Sequence, residues 1–444
     1  MKHISALAIM LAVSFNAFAA DTNDTSKPSK PLKRPDPKAL ANWQDMRFGM
    51  FIHWGPVSLT GKEIGWSRKK TDRKVYDNLY KKFNPVKFDA DQWVSIAKAA
   101  GMKYIVLTSK HHDGFCLWDT KLTDYNIMNS PFGRDVVKEL SAACRKQGLV
   151  YGSYYSILDW RHPLYPVGDE TNVKGKPHAD MDKYNQYVKD QLAEQIRKYG
   201  PSIAWFDGEW EPPWTHDRGL DLYKYLRKLD PNLLINNRVD KGRRGMKGIT
   251  REGFVGDFDT PEQRIGGFNM ERPWETCMTI CRQWAWKPND KMKSLQQCLQ
   301  TLIRTVGGDG NLLFNVGPMP SGEIEPRQAT RLKEMGQWLD KYGQSIYGTR
   351  GGPWKPSKNV ASTRKGNVIY LHILGMTGDS VTLANPGRRI KAASLLTGGK
   401  VDVKQTADTV VVTIPATDRR KIDTLVKLEL DGSAMDLKPV AANP

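Results

Sequence analysis

The sequence predicts a (β/α)8-like barrel followed by a C-terminal antiparallel β-sandwich. Three observations carry this expectation. Between about residues 45 and 345, eight strand-length apolar runs alternate with amphipathic stretches. Polar and aromatic residues gather where those runs end. After Gly351 the pattern changes to short alternating runs with no helical period.

The chain opens with Lys2 and His3 ahead of an apolar stretch from Ile4 to Phe18. Ala17-Phe18-Ala19 then fits a small-x-small cleavage site. Residues 1–20 read as a signal peptide cut after Ala19 or Ala20, so a periplasmic or secreted protein is expected. Lys-Pro and Arg-Pro pairs between Ser26 and Pro37 favour extended backbone, which makes residues 21–40 a linker.

Residues 41–350 hold the expected barrel. Its strand candidates are Phe48–Trp54, Tyr104–Thr108, Leu149–Tyr155, Ile203–Phe206, Leu233–Asn236, Phe254–Phe258, Trp274–Ile280 and Asn311–Val316. They are rich in β-branched and aromatic residues. Helical stretches between them carry acidic starts and Gly or basic ends: Asp89–Ala100, Asp135–Gln147, Tyr184–Tyr199, Asp217–Leu229 and Met292–Val306. No helix pattern fills 237–254 or 262–274, so loops are expected there. Residues 351–444 form the expected sandwich, with strand candidates Asn367–Leu374, Ser380–Leu383, Lys391–Leu396, Val401–Val403, Thr409–Ile414 and Leu425–Leu430.

Composition narrows the function. The 444 residues include 14 Trp and 16 Tyr, enough to exclude a disordered chain. No apolar run after the N-terminus is long enough to span a bilayer. A net charge of +19 suits an anionic partner such as an acidic polysaccharide. Nucleic acid is not expected, since the chain reads as exported and has no zinc-finger spacing or helix-turn-helix signal. The five cysteines are an odd number, so at least one is unpaired within the chain. Cys277 and Cys281 lack a second pair or spaced His, which argues against zinc.

In a barrel of this kind the chemistry lies at the carboxyl ends of the strands. Those ends carry His53-Trp54, Lys110-His111-His112-Asp113, Tyr154-Tyr155, Asp207, Arg238 and Glu262. In Ala204-Trp205-Phe206-Asp207-Gly208 an acid follows an apolar strand directly. Such an acid suits a nucleophile or a metal ligand, and equally a turn or helix cap. Glu262, fixed by Pro261, is the second carboxylate that glycosidic hydrolysis would need. His111 and His112 are adjacent on a strand and point to opposite sides. Hydrogen bonding to sugar hydroxyls fits them better than a metal site, because later strands offer no clear His ligands. Trp54, Trp66, Trp118, Trp160, Trp205, Trp210, Trp214, Trp284 and Trp286 crowd the same region, and sugar rings pack on such faces. No Gly-x-Ser-x-Gly elbow supports a serine hydrolase.

These motifs resemble glycoside hydrolase family 29, the α-L-fucosidases, over roughly Trp43 to Arg350. The resemblance rests on Phe48 to Gly55, Tyr104 to Phe115, Tyr154-Tyr155-Ser156, Trp205 to Gly208, Thr260-Pro261-Glu262, Trp274 to Cys277 and Gly310 to Pro318. It implies a retaining exo-glycosidase with no metal or other cofactor, acting on a glycan. It implies Asp207 as nucleophile and Glu262 as acid/base, with Glu275 the nearest competitor. His53, His111, His112, Tyr154 and Arg238 resemble residues that bind the sugar hydroxyls and orient the nucleophile. Trp66 and Trp205 fall in the matching sugar-binding motifs, and Trp284 resembles the aromatic beside the C5-methyl group. Many members carry Glu-Trp-Tyr where this chain has Gly65-Trp66-Ser67. One sugar-binding Glu is therefore missing, with Glu63 the candidate to compensate. This departure keeps an α-L-galactosidase in view. A carbohydrate-binding protein on the same barrel is the alternative of a different class, and loss of a catalytic carboxylate would mark it.

Overall fold

A computed structural model describes residues 32–167, 176, 178–243 and 253–442. The expected signal peptide and the linker as far as residue 31 lie outside the described residues.

Helix α1 (Pro37–Met46) starts at a proline, and the Asp36 carboxylate accepts the Lys38 N–H at 2.8 Å. Proline suits the first helical position, where its missing N–H is not needed. The helix thus begins inside the stretch expected to be an extended linker. Its buried Trp43 packs on Phe258 with ring centroids 4.5 Å apart and joins the barrel interior.

In chain order there follow β1 (Phe48–Ile52), α2 (Arg73–Tyr76), α3 (Ala90–Ala99), β2 (Tyr104–Lys110), α4 (Val136–Gln147), β3 (Val150–Ser156), α5 (Met181–Tyr199), β4 (Ile203–Asp207), α6 (His216–Leu229), β5 (Leu234–Ile235), β6 (Glu275–Thr279), α7 (Leu295–Gly307), β7 (Asn311–Val316) and α8 (Pro326–Tyr342). The helices obey their local signals. Asp135 and Asp180 cap α4 and α5, which end at Gly148 and Gly200 in the left-handed region. Ser294 and Gln297 form a reciprocal capping box on α7.

The strands make one parallel sheet in the order β5-β4-β3-β2-β1-β7-β6. Nearly every strand residue is buried because side chains face either the barrel interior or the surrounding helices. The run Phe254–Phe258, expected as the remaining strand, is not one. Only single bridges, Asn236 with Phe258 and Asp259 with Trp274, link this segment to its neighbours. The reason lies in contacts across the fold. The Asp257 side chain takes the Ile235 N–H at 2.8 Å, where a ladder carbonyl would otherwise sit, and is itself held by Tyr223 and Arg227. Gly256, at φ 125°, lies against the Asn237 backbone, where any Cβ would meet Cα at 2.6 Å. The segment therefore closes the barrel as irregular chain. Residues 262–274 contain no helix, as expected.

The C-terminal region comprises β8 (Arg350–Gly351), β9 (Val360–Lys365), β10 (Val368–Ile373), β11 (Ser380–Ala384), β12 (Ile390–Leu395), β13 (Asp402–Gln405), β14 (Thr409–Thr413) and β15 (Thr424–Leu430). A five-stranded sheet, β12-β15-β10-β9-β8, and a three-stranded sheet, β11-β14-β13, share a core of Trp354, Ile369, Leu371, Val410, Val412 and Leu428. Strand β9 is absent from the sequence expectation because its buried residues include Ser362, Thr363 and Arg364. The sandwich docks on α7, where the Gln300 side-chain N–H groups donate to Leu374 O at 2.9 Å and Ile422 O at 2.8 Å.

Arg47 ties these parts together. It is fully buried, pairs with Asp309 at 2.6 Å, and donates to Thr349 O; Asp309 also accepts the Gly351 N–H at 2.9 Å. Removing one partner of a buried pair strands the other charge. Arg47→Met is expected to cost about 3–5 kcal/mol, read as a drop in the urea midpoint. An unchanged midpoint would show that the pair does not carry the junction.

Candidate active site

The strand ends converge on one cavity of about 260 Å³. β1 delivers His53, β2 leads into His111 and His112, β3 carries Tyr154, and β4 ends with Trp205 and Asp207. Arg238 follows the short β5, and Glu262 comes from the irregular segment that bridges to Cys277. Trp66 and Trp284 reach in from loops. All ten residues named as candidates from the sequence thus line the same space. Phe51, Trp210, Arg243 and Cys277 also line it. The sequence marks Trp210 only as one of nine loop aromatics, and Arg243 only as one cation of the basic run Lys241, Arg243, Arg244, Lys247 and Arg251. Nothing local marked either as facing inward.

Arg238 organises the floor. One terminal nitrogen donates to Asp207 Oδ1 at 2.6 Å and the other to Glu262 Oε2 at 2.9 Å. Its Nε donates to Thr260 Oγ1 at 2.9 Å, and its guanidinium lies over the Trp205 ring at 4.5 Å. The second Asp207 oxygen accepts the Tyr154 hydroxyl at 3.0 Å. Burial pushes the Asp207 carboxyl up, but the Arg238 guanidinium beside it outweighs burial and holds it below the usual carboxylate range. Asp207 is thus an ionised carboxylate at a largely buried position. Its side chain is 13% exposed against 39% for Glu262, which stands nearer the solvent.

Three histidines face the carboxylate side. Burial lowers His53 to about 3 and His112 to about 4, and drives His111 well below its ordinary value, so all three are neutral at pH 7. Neutral imidazoles suit hydroxyl groups. Among the described residues no cluster of His, Cys, Asp and Glu could hold a metal ion. All five cysteines are buried and unpaired.

The walls are aromatic. Trp66 and Trp210 are each 41% exposed and lie nearly parallel, with centroids 6.2 Å apart. Phe51, Trp205 and Trp284 form the opposite, apolar side.

Two carboxylates considered from the sequence stand outside the cavity. Glu275 is completely buried beneath it, bonded to the Tyr104 hydroxyl and to Trp205 Nε1 at 3.0 Å. Glu63 accepts the N–H groups of Trp284 and Ala285, each at 3.0 Å, and so fixes the loop that presents Trp284. It does not replace a sugar-binding acid directly. Glu209, two residues after Asp207, is buried and pushed up by burial and by the Asp207 charge, with Arg243 at 2.9 Å opposing.

A barrel whose strand ends present two carboxylates, neutral histidines and indole faces defines a glycoside hydrolase. The comparisons narrow the class. The sequence profile of the family described as Alpha-L-fucosidase matches residues 16–344. The Alpha-L-fucosidase of Branchiostoma floridae is 32% identical over 364 residues, covering 76% of this chain and 77% of that protein. The human plasma alpha-L-fucosidase is 33% identical over 351 residues, covering 74% and 73%. Among solved structures, alpha-L-fucosidase isoenzyme 1 from Paenibacillus thiaminolyticus superposes with a TM-score of 0.79 at 35% identity, over 89% of this chain and 99% of that one. An alpha-L-fucosidase from Bacteroides thetaiotaomicron, solved as a trapped covalent intermediate with 2-fluoro-fucosyl fluoride, gives 0.81 at 26% identity, over 90% and 98%. The chain belongs to the α-L-fucosidase family, glycoside hydrolase family 29.

Glu275 offers a check on which acids do chemistry. Burial pushes its carboxyl up to about 7. A raised folded value favours the fold below the ordinary carboxylate range, and that contribution fades as pH rises through about 7. Glutamine mimics the protonated form. Glu275→Gln is expected to keep most activity and to gain up to about 3 kcal/mol of relative stability above pH 7. Thermal melts at pH 5 and pH 8 read the gain, and equal shifts at both would contradict it.

Proposed function

We propose that the enzyme is an exported, retaining exo-α-L-fucosidase that removes terminal α-L-fucose by double displacement. The observation that carries this is Arg238 bonded at once to a buried carboxylate and to a more exposed one. Asp207, held ionised, attacks the anomeric carbon. Glu262 gives its proton to the departing glycosidic oxygen, then takes a proton from the water that releases the sugar. The covalent intermediate trapped in the Bacteroides relative is the species such a mechanism forms. Phe51, Trp205 and Trp284 favour a methyl group over the extra hydroxyl of L-galactose. Export rests on the pattern of residues 1–20, and N-terminal sequencing of the mature protein tests it.

Asp207→Gly should lose nearly all turnover and, by taking one of the two carboxylates from the buried Arg238, lower the urea midpoint, while azide should restore part of the turnover as the β-fucosyl azide. Near-normal turnover would remove Asp207 from the role. Glu262→Ala should slow natural glycosides far more than an aryl fucoside with a good leaving group. An equal loss on both would point to another acid. An aryl α-L-galactoside turned over as fast as the fucoside would overturn the specificity.

The basic balance supports an anionic, for instance sulfated, glycan as the natural substrate. Two basic stretches follow strand ends, Arg68-Lys69-Lys70 with Arg73 and Lys74, and Lys241, Arg243, Arg244, Lys247 and Arg251; in them Arg68 is bound to Asp77 and Arg243 to Glu209, so neither is wholly available. Arg244, Lys247 and Arg251 lie outside the described residues. Lys69 remains at the mouth, over the Trp66 and Trp160 rings at 5.1 and 4.7 Å. With a Debye length of about 8 Å at physiological salt, kcat/KM on a sulfated fucoside should fall as salt rises, and stay level on a neutral aryl fucoside. Lys69→Ser should flatten the first curve. Parallel curves in the unmodified enzyme would exclude the anionic reading.

A further inference from the structure

Two of the three pocket histidines have a hydrogen-bond partner behind them and the third has none, and this difference determines which ring nitrogen carries the proton. We infer that Asn315 and Ser156 are positioning residues that lock His53 and His112 as hydrogen-bond acceptors toward the sugar, while His111, with nothing behind it, is the donor. The inference rests on the glycosidase reading for its meaning, but on the resting protein for its evidence.

Asn315, on β7, has both ends of its amide engaged. Its Nδ2 donates to Trp284 O at 2.8 Å, so its Oδ1 faces His53 Nδ1 at 2.6 Å. A carbonyl oxygen only accepts, so His53 Nδ1 must donate. A neutral ring has one proton, which leaves Nε2 as a lone pair.

Ser156, the last residue of β3, leads to the same result by a different route. Its hydroxyl has a single hydrogen, given to Leu158 O at 2.6 Å. The oxygen lies 2.7 Å from His112 Nδ1, and with its own proton spent it can only accept there. His112 therefore carries its proton on Nδ1 and turns a lone pair toward Asp207 Oδ2, 3.7 Å away. Two acceptors face each other across that gap. The contact is not an ion pair, since burial keeps His112 neutral. An O–H entering there meets acceptors on both sides.

His111 differs. Its Nδ1 is buried with no partner, against Gly65, where an added Cβ would stand 2.7 Å away. An orphaned buried N–H is rarer than an orphaned acceptor, so the proton belongs on Nε2. That nitrogen is not enclosed, and the ring lines the cavity. The glycine thus does more than omit a side chain. It leaves nothing at Nδ1 to hold a proton there.

The pocket accordingly offers two acceptors and one donor from three residues of one type. A ligand must present hydroxyl hydrogens at two positions, where fluorine or an ether oxygen cannot substitute.

The test is imidazole nitrogen NMR on 15N-histidine-labelled enzyme without substrate at pH 7, with resonances assigned by single His→Gln substitutions. The expected pattern is protonated Nδ1 for His53 and His112 and protonated Nε2 for His111. A protonated Nε2 at His53 or His112, or a protonated Nδ1 at His111, would overturn the assignment. Ser156→Ala removes the acceptor behind His112, so its Nε2–H form should appear and kcat/KM on an aryl fucoside should fall at least tenfold. Ser156→Thr, which keeps the hydroxyl, should restore both. If Ser156→Ala leaves the His112 tautomer and kcat/KM unchanged, Ser156 has no positioning role. Failure of the unmodified enzyme to cleave any α-L-fucoside would reject the fucosidase reading and leave the tautomer pattern to be judged by the spectra alone.

Discussion

Arg238 is almost wholly enclosed, and a buried guanidinium is stable only if its charge and its N–H groups are matched. The matching comes from Asp207 and Glu262, from Thr260 and from the face of Trp205. This requirement shapes its surroundings. β5 ends after two residues, so that the chain can turn and bring Arg238 inward. The irregular chain that follows supplies Thr260 and Glu262 to that guanidinium. The same charge keeps Asp207 ionised at a depth where burial alone would neutralise it.

A cation already spent on two carboxylates leaves the histidine side of the cavity to uncharged groups. The buried histidines meet that need, since desolvation denies them a proton throughout the neutral range. Charge is thus gathered around Arg238, Asp207 and Glu262, and neutral polarity around the three histidines. The indoles complete the division by excluding water without adding charge.

Rigidity comes from below and behind. Trp43 fills one end of the barrel, and Arg47 with Asp309 links the first helix, β7 and the start of the sandwich. Tyr104 and Trp205 close over Glu275, so the residue beneath the end of β4 is held by hydrogen bonds as well as by packing. Glu63 performs a similar service for the Trp284 loop.

Much of this was legible in the chain. Apolar runs of strand length, Asp and Ser helix caps and terminal glycines are local signals, and they located most strands and helices. The residue types at strand ends marked Asp207, His53, His111, His112, Arg238 and Glu262, because a barrel sends every such end to one face. What needed the fold was non-local. Whether Phe254–Phe258 made a strand depended on Asp257 claiming a backbone N–H of Ile235. Whether Glu275 reached the cavity depended on Tyr104 and Trp205 above it. The inward turn of Trp210 and Arg243, and the partners behind each histidine, arise from residues far apart in sequence. Residue type and period are carried by the chain itself, whereas the partner of a buried polar atom is decided only when packing removes the water that would otherwise have satisfied it.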